Sequence, residues 1–258
     1  MRPGSTKFLL LAALLGLAVV LAAGFILFDA LVIEPNWPVV NSVRIRDPTL
    51  ARVLKDRRIV QVSDLHLEGE IGFRERSLIA RINRLRPDCV LFTGDYVESA
   101  AASPLVARLV SRLQVRMWCY GVIGNADRAY LRGGGFAEDW KRSGLSLIGG
   151  RNLKIQLGAG EGFFWLAGVD HEGGGEIPAA LEGIPASDPL IVLSARPDLA
   201  PALIEGGADL VVSGDTHGGQ VGLPGWGRFL SAYGRSPYLR GFYRLGEGWL
   251  YVNRGIGS

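Results

Sequence analysis

The stretch IVQVSDLHL, Ile59–Leu67, decides how this chain is read. Its β-branched opening suits a strand over Arg58–Ser63, and two polar residues, Asp64 and His66, come at once after it. The same arrangement recurs downstream. DCVLFTGDYV, Asp88–Val97, reads as a strand over Cys89–Thr93 closed by Gly94 and Asp95. YGVIGNAD, Tyr120–Asp127, ends a strand over Met117–Ile123 and delivers Asn125 and Asp127. A strand over Leu190–Leu193 runs into Ser194–Pro197, and one over Leu210–Val212 into Asp215 and His217. Ligands of open α/β sheets bind outside the carboxyl ends of strands, because the loops converge there. Taken singly, each piece has an ordinary explanation: an Asp after a strand caps a helix, Gly-Asp makes a turn, and a lone histidine sits on a surface. The ordered set is different. Carboxylate, amide and imidazole side chains at one rim suit a divalent cation such as Mn, Fe, Zn or Mg.

Between these strands the apolar spacing predicts helices over Arg74–Leu85, with Leu78, Ile79, Ile82 and Leu85 on one face, over Leu105–Leu113, and over Phe136–Arg142. Leu145–Ile148, Leu153–Leu157 and Phe163–Val169 read as antiparallel strands joined by glycine-bearing turns. A helix near Leu199–Glu205 comes next, and Phe242–Leu245 with Trp249–Val252 reads as a hairpin. One mixed α/β domain, residues 56–258, accounts for the pattern. Residues 31–55 read as a linker and first strand region.

The N-terminus has a separate character. Phe8–Phe28 is a 21-residue run without a charge, long enough to cross a bilayer core as a helix. Residues 1–30 are expected to be a membrane anchor; a cleaved signal peptide is the competing reading, with Ala22, Ala23 and Gly24 as cleavage-compatible residues. Arg2 and Lys7 before the run place the remainder outside the cytoplasm, on a single-pass protein of the cell membrane. The net charge of +3 is carried by scattered arginines, so no nucleic-acid partner is expected. Cys89 and Cys119 are read as buried free thiols, with a disulfide conceivable if their strands are neighbours in register.

Together, IVQVSDLHL, DCVLFTGDYV, YGVIGNAD, VLSARPDL, VVSGDTHGGQVGLP and LYVNRGIGS resemble the blocks of the calcineurin-like metallophosphoesterases, above all a bacterial membrane-associated branch. Some members of that branch hydrolyse lipid-linked phosphates such as UDP-2,3-diacylglucosamine. The resemblance implies a four-layer α/β sandwich in which two mixed β-sheets are flanked by helices. It implies Asp64, His66, Asp95 and His217 as ligands of a first metal, with Asp95 bridging to a second metal that Asn125 also holds. It implies hydrolysis of a phosphomonoester, phosphodiester or pyrophosphate bond by metal-activated water, on a phosphorylated small molecule or lipid. A monomer is expected.

The chain departs from that family pattern at three histidines. Ala126 stands in Gly-Asn-His-Asp, Ala195 stands before the Pro197-Asp198 element, and Asp215 stands in Gly-His-Thr-His. All three fall on the second metal or the leaving-group side. Asp215 is a candidate replacement ligand there. His171, in GVDHEGGG (Gly168–Gly175), has two readings, an imidazole that reaches the rim or a loop histidine. Arg196 likewise either contacts phosphate or caps its loop. A catalytically impaired relative that binds one metal and a phosphorylated ligand is the alternative to an enzyme. The resembling proteins also continue beyond LYVNRGIGS with a further strand, so an exposed sheet edge is expected.

Overall fold

The computed structural model describes residues 3–28, 38–45, 47–55, 57–131, 133, 135–158, 161–214 and 236–256, the side chains of residues 3–12 and 27 excepted. Met1–Val39 form one compact unit and Val40–Ser258 another. In the first, Pro3–Phe28 is a single helix, α1. Its described side chains span only residues 13–26 and 28, and among the described residues no helix is long and apolar enough to cross a membrane.

The second unit opens with helix α2, Pro48–Val53, in a segment where a first strand was expected. Local chemistry explains the difference. Asp47 accepts from the amides of Thr49 (2.9 Å) and Leu50 (3.0 Å), and Pro48 occupies the first helical position, where its missing N–H costs nothing. Leu50 is buried in a core cluster with Leu91, Leu166 and Ile191, so this segment is part of the folded domain.

Four strands then alternate with helices: β1 Ile59–Val62, α3 Phe73–Leu85, β2 Cys89–Phe92, α4 Ser103–Val110, β3 Trp118–Gly121, α5 Asn125–Tyr130, α6 Gly135–Ser143 and β4 Leu145–Leu147. They form one sheet in the order β1-β2-β3-β4, and every pairing in it is parallel. A mixed sheet was expected here, with Leu145–Ile148 antiparallel to the next strands in the chain; instead that strand completes the parallel array. The crossover helices explain it, since α5 and α6 give β4 room to return in the same direction as β3.

Among the described residues the remaining α-helices and strands are β5 Arg151–Gln156, β6 Phe163–Val169, α7 Ile177–Leu181, β7 Leu190–Ser194, α8 Ala200–Glu205, β8 Leu210–Ser213, β9 Gly241–Leu245 and β10 Gly248–Val252. Their sheet runs β5-β6-β7-β8-β10-β9. It is mixed: β5–β6 and β9–β10 are antiparallel hairpins at its two edges, around a parallel centre.

Three apolar layers separate the parts. One lies between the first sheet and α3, α4 and α6, and contains Val90, Phe92, Ile82, Leu109 and Trp140. The second lies between the sheets, with Leu91, Leu166, Ile191 and Leu193. The third lies between the second sheet and α7 and α8, with Val192, Val211, Ala180 and Leu203. Strands buried on both faces must be apolar along their length, which is why CVLF and LIVLS show no alternation. The result is two sheets back to back, flanked by helices. Cys89 sits opposite Trp118, and Cys119 opposite Val90. With side chains alternating across a strand, the two thiols face different layers, Cys89 the inter-sheet core and Cys119 the helix side. Both are free and buried.

Candidate metal centre

The parallel pairing of β1 with β2 continues into their loops. Asp64 N–H donates to Gly94 O (3.1 Å), His66 N–H to Asp95 O (3.0 Å), Leu67 N–H to Tyr96 O (2.8 Å) and Glu98 N–H to Leu67 O (3.1 Å). Within this ribbon Asp64 (φ 54°), His66 (φ 42°) and Asp95 (φ 56°) adopt left-handed backbone. Such conformations cost side-chain-bearing residues about 1–3 kcal/mol each and gather at functional sites. Here they turn three side chains to one place. One ligand atom from each of Asp64, His66 and Asp95 lies within 4.8 Å of the others. Both aspartates are buried, and His66 Nδ1 contacts Glu98 Oε1.

Asn125 reaches the same rim from β3. It opens α5 directly after Gly124, and the two loops approach closely. A Cβ on Gly94 would stand 2.8 Å from Gly124 Cα, so the Gly-Asp and Gly-Asn turns need their glycines. Asp95 Oδ1 accepts from Ala126 N–H (2.9 Å). Below them Asp127 is fully buried and accepts from the amides of Asp95 (2.9 Å), Tyr96 (2.7 Å), Val97 (3.2 Å) and Gly124 (3.0 Å). Burial pushes its carboxyl up to about 7, and the Asp95 charge adds to this against the pull of those amides. Asp127 is the fastener that locks the Asp95 turn to the Asn125 helix.

The end of β6 is latched to the end of β3. Ile123 N–H donates to Asp170 Oδ1 (2.8 Å) and His171 N–H to Ile123 O (2.9 Å). Arg128 on α5 reinforces the latch, 3.2 Å from Glu172 and 3.7 Å from Glu176. His171 is thereby held beside the Asn125 loop. Burial and the Arg196 cation lower its pKa, while Asp95 and Asp198 pull the other way. Arg196 itself is gripped by Asp198, its Nε 3.0 Å from Asp198 Oδ1, and this pairing holds Asp198 below the usual carboxylate range. Ala126 is half-buried. Ala195 is buried among the apolar side chains between the sheets. Asp215 and His217 lie outside the described residues.

The chain closes over the site after β10. Ile256 N–H donates to Ser63 O (3.1 Å), and Gly255 (φ 80°) packs so tightly that a Cβ there would stand 2.7 Å from Asp64 Cβ. Glu98, Asp170 and Gly255 are contributions that the sequence does not single out, although Asp170 directly follows β6. Glu98 lies six residues past its strand, and only the continued ribbon brings it back beside His66.

The Asp-x-His and Gly-Asp turns and the Gly-Asn helix start all lie within a segment that matches a known family. A profile of the calcineurin-like phosphoesterases matches residues 57–219. The chain belongs to the calcineurin-like phosphoesterase family. Among the relatives of this chain, the uncharacterized metallophosphoesterase YkuE of Bacillus subtilis is 29% identical over 87% of this chain and 80% of its own length. A transmembrane protein with metallophosphoesterase domain from Danio rerio is 28% identical over 85% of this chain, which spans only 53% of that protein. The UDP-2,3-diacylglucosamine pyrophosphatase LpxG of Chlamydia muridarum is 26% identical over 88% of this chain and 85% of its own.

Proposed function

We propose that this phosphoesterase hydrolyses a phosphomonoester, phosphodiester or pyrophosphate bond of a membrane-associated, phosphorylated substrate, with divalent metal bound at Asp64, His66 and Asp95. The observation that carries the reading is the convergence of those three ligand atoms on left-handed backbone. Two hard carboxylates and one imidazole suit Mn, Fe, Zn or Mg. His217 is proposed to complete this set, and Asn125, with Asp215, to extend it towards a second ion. When bound, a divalent ion supplies Lewis acidity towards the phosphoryl group and makes water a better nucleophile at neutral pH. The chain's own residues do the positioning. Asp127 and the ribbon hold the ligands before the cation arrives, and His171 and Arg196 are proposed to face the substrate from the β6 and β7 ends.

Residues 1–30 are proposed as a single-pass anchor that keeps the soluble domain outside the cytoplasm at the membrane surface. The apolar run Phe8–Phe28 supports this, as does the transmembrane relative. A lipid-linked substrate is supported by the relative that acts on UDP-2,3-diacylglucosamine.

The purified chain is expected to turn over bis(p-nitrophenyl) phosphate with added Mn²⁺, and to lose that activity with a chelator and in Asp64→Asn. A second reading rests on Ala126 and on the apolar burial of Ala195: a relative that binds one ion and a phosphorylated ligand without turnover. Absence of hydrolysis with Mn, Mg, Zn and Fe, alongside a single bound equivalent of metal, would select it.

A further inference from the structure

Glu98 carries a role that the ligand set alone does not include. The ribbon that pairs the β1 and β2 loops ends with Glu98 N–H on Leu67 O (3.1 Å), next to the parallel bridge between Leu67 and Val97. That pairing brings residue 98 alongside the loop that bears His66, and the side chains then meet, Glu98 Oε1 against His66 Nδ1. Arg74 fixes the backbone of the same loop, its guanidinium 2.9 Å from Leu65 O and 3.4 Å from His66 O. Backbone and ring are therefore held by different residues.

A neutral imidazole has one N–H and one bare nitrogen, and the partner of the first decides which nitrogen is bare. A carboxylate can only accept, so Glu98 calls for a proton on Nδ1 and leaves Nε2 as the donor to a cation. The Glu98 side chain is 38% exposed, so burial does not force it onto the ring. Resting on the metal reading above, we propose that Glu98 is the positioning residue that fixes the tautomer and orientation of His66, so that Nε2 faces the metal. Its charge also makes the imidazole a stronger ligand; outer partners of this kind change metal affinity by about 10–100-fold.

The test uses the full-length chain in detergent with Zn²⁺ as the probe. Three histidines in the whole sequence make histidine-labelled nitrogen spectra assignable. The loaded wild type is expected to show His66 protonated at Nδ1 and metallated at Nε2. Glu98→Ala is expected to weaken Zn²⁺ binding by about a hundredfold and Glu98→Gln, whose amide oxygen still accepts, by about tenfold, with unchanged circular dichroism. Should the alanine variant not fold, the glutamine variant and the wild-type tautomer carry the test. Zn²⁺ on Nδ1 of His66, or both variants binding as tightly as the wild type, would overturn the proposal. Asp64→Asn is measured alongside. If it also binds like the wild type, the metal reading itself falls; if it alone loses Zn²⁺, only the role of Glu98 does.

Discussion

Asp127 shows most directly how one side chain organises the site. Four backbone amides donate to it, and a buried donor left without an acceptor costs about 1–3 kcal/mol. Asp127→Ala is therefore expected to destabilise the domain by about 3 kcal/mol or more and to weaken metal binding as the Asp95 turn loosens. A urea midpoint indistinguishable from wild type would contradict this. The residue was visible in the sequence as one member of Gly-Asn-Ala-Asp, but only as a polar residue after a strand. Nothing in its spacing distinguishes a ligand from a carboxylate that binds amides 30 residues away. Asp64, His66 and Asp95 were legible because their types and order match metal chemistry. Glu98 was not, since an exposed-looking Glu after Tyr-Val has no pattern of its own.

At the scale of elements, the loops are held by close approaches that tolerate no side chain. Gly94→Ala would push a methyl onto Gly124 and at a φ of 98°; Gly255→Ala would push one onto Asp64. Both are expected to lose metal affinity more than stability, because each displaces a ligand loop rather than a core layer. Titration of each variant with Mn²⁺ checks this, and unchanged affinity in both would show that the loops adjust freely. The strands make a second prediction. Burial raises Cys119 to about 11 and Cys89 further, and their register puts them on opposite faces. Neither thiol is expected to react with a disulfide reagent until the protein is unfolded, and no Cys89–Cys119 bridge should form on oxidation. Fast reaction of both in the native protein would contradict the packing. Element types were largely legible, because β-branched runs and 3.6-residue spacing are local signals. The direction of β4 was not, because pairing partner and direction depend on where α5 and α6 deliver the chain.

For the whole molecule, metal binding and stability are linked. A cation that binds only the folded site adds about 2.7 kcal/mol at a hundred times its dissociation constant, so Mn²⁺ is expected to raise the melting temperature of the wild type and not of Asp64→Asn. An equal rise in both would place the ion elsewhere. The domain Val40–Ser258 has its own three cores and is expected to fold and bind metal without Met1–Val39, as circular dichroism and titration of that fragment would show. By itself the sequence determined the α/β class, the strand ends that carry polar residues, and the family. These come from residue type and short-range spacing, where local preference and ligand chemistry act. Only the tertiary structure decided that the first sheet is parallel throughout, that Pro48–Val53 joins the core as a helix, and that Asp127, Glu98 and Gly255 support the Asp64, His66 and Asp95 cluster. Each of those depends on contacts between residues far apart in the chain, made only when the two sheets pack and bring their loops to one rim.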